Sequence, residues 1–159
     1  MKPRFLDRRQ VDSWSCGAIT GAVCLEIAGV DTLMASELVR ASLSITPLDG
    51  TDPRSLESFF RRVGCRVQSG EMCPRDLAHH TGLGRPVACL ITFDSVGHWV
   101  TVYAANSRFV SYHCPVRGLV RDPIGRFRKH WRDYDRGGAT YDGFGVCVVA
   151  NKDGERARK

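Results

Sequence analysis

Three side chains of the 159-residue chain could do chemistry together. Cys16 precedes Gly17-Ala18-Ile19-Thr20, where an apolar pattern of helical spacing begins. His98 lies in Gly97-His98-Trp99-Val100-Thr101-Val102-Tyr103, which alternates as a strand does. Gln10 stands shortly before the cysteine. A thiol at a helix start, a distant imidazole and a side-chain amide are the parts of a nucleophile that attacks carbonyl carbon. The attacking species is the thiolate, and a free thiol has a pKa of about 8.5. Unpaired N–H groups and the macrodipole at a helix start favour the anion, and a protonated imidazole favours it further. His98 is the expected base and later proton donor. The Cys16 N–H and the Gln10 amide are the expected donors to the developing oxyanion. Gly17 leaves room beside the sulfur for a substrate backbone. Taken singly, a cysteine at a helix start is most often core, and a histidine on an amphipathic strand is most often a satisfied polar group. The combination carries the argument.

These groups need a helix before residue 30 and strands after residue 85. Ser15 can cap a helix over residues 16–28, with Ile19, Val23, Cys24 and Ile27 on its apolar stripe and Gly29 as its stop. Asp31 can cap a second helix through Leu33, Leu38 and Val39. A turn-forming loop covers residues 46–52. Asp52-Pro53 opens a third helix that buries Leu56, Phe59, Phe60 and Val63, with Gly64 beyond its end. Residues 65–68 read as a short strand and 74–80 as a short helix. Residues 87–93 form a near-continuous apolar run suited to a central strand. Residues 98–104 and 109–112 read as a hairpin around Asn106-Ser107. Residues 127–131 suit a helical turn and 144–150 a last strand. Helices first and antiparallel strands afterwards define an α+β class.

The composition bounds the reading. With 43% hydrophobic and 25% charged residues, the chain suits one globular domain over residues 1–150, followed by a charged tail at 151–159. No apolar run is long enough for a transmembrane helix, and the N-terminus has no signal-peptide core, so a cytoplasmic location is expected. The seven cysteines include no CxxC pair, which argues against a disulfide framework and a zinc site. No metal or organic cofactor is expected. The net charge of +6 is spread over several arginine-rich runs without a nucleic-acid-binding motif, and these read as solvated surface.

Gln10-x5-Cys16-Gly17, the stretch from Leu56 to Gly64, Leu77, Gly84-Arg85-Pro86-Val87, His98-Trp99-Val100 and Cys114-Pro115 up to Phe127 and Trp131 together resemble the bacteriocin-processing, double-glycine-leader cysteine peptidases, a papain-like family. The resemblance runs from about Gln10 to Val149. It implies a papain-like fold with N-terminal helices packed on an antiparallel sheet. It also implies cleavage of a peptide or protein substrate at an amide bond by Cys16, His98 and Gln10. An amidase or acyltransferase, or a binding module that has lost efficient catalysis, is the alternative on the same fold.

The family carries an aspartate, followed by proline, on the strand after the histidine. Here that position is Cys114. His113 is the favoured substitute as partner of His98. With the two-residue loop Asn106-Ser107, Ala105 pairs with Arg108 and Val100 with His113, which puts His98 and His113 on one face. A shift of parity turns Cys114 toward His98 instead. Asp122, followed by Pro123, is a more remote candidate.

Overall fold

A computed structural model describes residues 9–10, 15–30, 51–93, 95–134, 138 and 140–150. The second helix expected after Asp31 lies outside them. Helix α1 spans Cys16–Ile27 and α2 spans Pro53–Arg62. Strand β1 (Cys65–Glu71), helix α3 (Pro74–Gly82) and strand β2 (Val87–Phe93) follow. Strands β3 (Val96–Ala105), β4 (Phe109–Cys114) and β5 (Gly118–Pro123) lead to helix α4 (Ile124–His130). Strands β6 (Arg132–Tyr134), β7 (Thr140–Asp142) and β8 (Phe144–Ala150) end the order. Six strands form one sheet in the order β1-β8-β2-β3-β4-β5, and β6 pairs with β7. Every neighbour in the large sheet is antiparallel. The class is α+β.

The apolar run of β2 is explained by its place between β8 and β3. A strand buried on both faces has no polar side to alternate with. Ala88 and Leu90 pack with α1 and α2 residues such as Leu25, Leu56 and Phe60. Val87, Cys89 and Ile91 pack on the other face with Leu77 of α3 and Phe127 of α4. Helix α1 is buried from Cys16 through Leu25, so its faces differ little in polarity, as suits a core helix. Gly29, at φ +80°, takes the left-handed turn that follows it.

Helix α2 starts as its sequence dictates. Asp52 accepts from the Ser55 N–H at 2.9 Å and from the Ser55 hydroxyl at 2.6 Å. Pro53 fills the first turn, where its missing N–H costs nothing. Ser15 behaves differently from expectation. It occupies the N-cap position of α1, but its side chain makes no cap hydrogen bond, and it is fully buried.

The β3–β4 hairpin departs most from expectation. Ala105 pairs with Val110 rather than with Arg108, so the loop is longer by an even number of residues, which alone keeps the parity. A bulge between Val102 and Ala104 then shifts the register by one, and Thr101 pairs with His113. One extra residue on a strand moves every later side chain to the opposite face.

Candidate active site

Cys16 is the first residue of α1, and 7% of its surface is exposed. Burial raises its thiol above the ordinary value, while the backbone N–H groups of Trp99, Gly17 and Cys16 itself work in the opposite direction. The sulfur is therefore surrounded by backbone donors yet dry enough to keep its proton. The helix start favours the anion, and desolvation outweighs it. Cys16 also feels the sulfur of Cys114.

His98 is buried near the start of β3, opposite Ile91 of β2. Its Nε2 lies 3.3 Å from Cys114 Sγ. Burial lowers its pKa to about 4, helped by the Arg117 guanidinium. At neutral pH the imidazole is uncharged, so the two groups are a thiol and a neutral imidazole rather than an ion pair. Cys16 packs in the α1-side cluster with Trp99, whereas His98 faces the side of Ile91 and Cys114. Both residues thus adjoin the Trp99 backbone and the Cys114 sulfur.

The expectation that His113 approaches His98 is corrected by the register. His113 shares the face of Thr101, whose hydroxyl points to Thr20 O and Cys24 Sγ of α1. His113 is fully buried, and Arg9 Nη1 lies 3.5 Å from its Nε2. A guanidinium can only donate, so this nitrogen carries the lone pair. Asp122 is on the Cys114 face, but its carboxylate accepts from the Tyr112 hydroxyl at 2.7 Å. Gln10 is brought to the same end of the sheet, because its N–H donates to Pro115 O at 3.0 Å, one residue past Cys114. Cys114, rather than His113 or Asp122, therefore faces the imidazole.

The space at Gly17 serves the protein itself. A Cβ there would overlap the Thr51 side chain. Thr51 also accepts from the Trp99 indole N–H through its carbonyl, at 2.8 Å. Thr51 thus fastens the helix start to the strand that carries His98.

Arg117 is a residue that sequence reasoning missed. Its backbone N–H donates to Cys114 Sγ at 3.4 Å and its Nη2 to the Tyr112 hydroxyl at 3.0 Å. Beside the imidazole the chain thus has the Cys114 sulfur and the Arg117 guanidinium. Only the Cys-Pro dipeptide marked the turn before it, and an arginine in a turn carries no signal of its own. Asp133 of β6 was also missed. Its carboxylate sits where a Gly97 side chain would be.

No cluster of histidine, cysteine or acidic residues suited to a metal occurs among the described residues. No helix among them is long and apolar enough to cross a membrane.

No family model and no curated protein matches the sequence. Solved structures do match its fold. A double-glycine motif protease from an AMS/PCAT transporter, solved with its leader peptide, is 18% identical, with a TM-score of 0.65 over 89% of this chain and 86% of that one. The peptidase domain of Streptococcus ComA, a bifunctional ABC transporter of a quorum-sensing pathway, is 16% identical, with a TM-score of 0.71 over 91% and 97%. A C39-like peptidase from Bacillus anthracis is 12% identical, with a TM-score of 0.62 over 91% and 94%. The chain has the fold of the double-glycine peptidase domains, as its motifs implied.

Proposed function

We propose that this protein is a thiol hydrolase of peptide amide bonds, with Cys16 as nucleophile, His98 as base and Gln10 with the Cys16 N–H as oxyanion donors. The observation that carries this reading is Cys16 as the first residue of α1, its sulfur against the N–H of the residue after His98, in a peptidase fold. Because both groups rest neutral, His98 takes the thiol proton as the carbon–sulfur bond forms, and returns it to the leaving amine. Cys114 acts as a positioning residue. Its thiol stands in for the carboxylate and fixes the imidazole ring, without stabilising an imidazolium as a carboxylate does.

The substrate class is a peptide or protein segment, as the leader peptide bound by the transporter protease suggests. The residues from 1 to 150 form one such domain, and 151–159 a charged tail. All seven cysteines are free, which fits a reducing compartment such as the cytoplasm.

A second reading is favoured by the cation near His98. It is a binding module that keeps the fold and has lost efficient turnover. Profiling cleavage of a diverse peptide library by mass spectrometry separates the two. The hydrolase reading expects products that vanish in Cys16→Ala and fall at least about a hundredfold in His98→Ala. Identical product sets from wild type and Cys16→Ala would favour the module.

A further inference from the structure

A cavity of about 280 Å³ opens on the α4 face of the sheet, beyond Cys114. Its walls include Ile91, Tyr112, Arg117, Arg126, Phe127 and His130. Ile91 is the cross-strand partner of His98, so the cavity shares the face of the imidazole. Its size is just below that of typical ligand pockets, which start at about 300 Å³. One side chain or one small molecule fills it.

The charges inside select the ligand. Arg117 and Arg126 bring two guanidinium groups and His130 an imidazole. The one carboxylate of the lining, Asp122, is 8% exposed and already accepts from Tyr112 at 2.7 Å. Among the described residues, neither Arg126 nor His130 is paired with a carboxylate. Phe127 and Ile91 add apolar surface beside the cations. Guanidinium forks match planar, two-oxygen anions best.

We propose that this cavity binds a carboxylate carried on a small apolar body, held by Arg126 and Arg117 with the body against Phe127. The carboxylate belongs either to a free small acid or to the end of a bound peptide. The inference does not rest on the hydrolase reading, because binding needs no turnover.

The test is an NMR titration of the full chain with benzoate and with benzamide, its uncharged counterpart. Benzoate is expected to shift the Phe127 and His130 signals saturably, and benzamide to bind at least about tenfold more weakly. Arg126→Ala, a change at an exposed side chain, is expected to weaken benzoate about tenfold. Equal binding of the two probes, no saturable shift, or an unchanged affinity in Arg126→Ala would overturn the proposal. A short peptide ending in phenylalanine, compared with its C-terminal amide, assigns the source. Competition by the free acid alone identifies a peptide carboxylate, and no competition by either peptide identifies a free small acid.

Discussion

At the scale of single residues, the site turns on what stands beside His98. Cys114 lies 3.3 Å from the imidazole, and the Arg117 charge disfavours protonation. A carboxylate at Cys114 would reverse that balance. Cys114→Asp is expected to raise the His98 pKa by at least about one unit and to speed Cys16 alkylation at pH 7. An NMR titration of the ring protons and a timed reaction with iodoacetamide check both. The same low pKa, about 4, sets the pH dependence of stability. The unfolded chain binds a proton at about pH 6.5 and the folded protein does not. Between these values the unfolded state holds more protons, so stability rises with pH. Falling from pH 7 to 4, His98 is expected to cost at most about 3 kcal/mol. Urea unfolding across this range should be steeper in pH for wild type than for His98→Gln.

At the scale of elements, caps and contacts at helix starts hold the site together. Asp52→Ala removes both bonds to Ser55 and is expected to cost about 1 kcal/mol in urea unfolding. Gly17→Ala drives a methyl into Thr51 and is expected to destabilise by about 1–3 kcal/mol. Thr51→Ala should return part of that loss in the double variant, because it removes the overlapping atoms. Much of this framework was legible. Asp52-Pro53, the run from Val87 to Phe93 and the final strand from Phe144 read directly from caps and apolar patterning. The partner of His98 did not. Hairpin parity depends on the bulge between Val102 and Ala104, and no glycine or other residue there announces it. The short strand β5 was missed for a related reason. Residues Gly118–Pro123 alternate weakly, with the charged Asp122 at an inner position. Cys16 was legible as a helix start, but its protonation was not, because burial belongs to the whole fold.

At the scale of the whole molecule, the sheet brings together groups far apart in sequence. Gln10 reaches the β4–β5 turn, α1 supplies Cys16, and β3 and β4 supply His98 and Cys114. The fold is that of double-glycine peptidase domains, while the charges around the imidazole are this chain's own. The central claim is that Cys16 is the nucleophile and His98 its base. Reaction with p-nitrophenyl acetate, followed by peptide mapping in a mass spectrometer, tests it without knowledge of the natural substrate. The account predicts an acetyl thioester on Cys16, absent in Cys16→Ala and formed at least about tenfold more slowly in His98→Ala. Acetylation confined to Cys73, the exposed thiol, or a rate at Cys16 indifferent to His98, would contradict it.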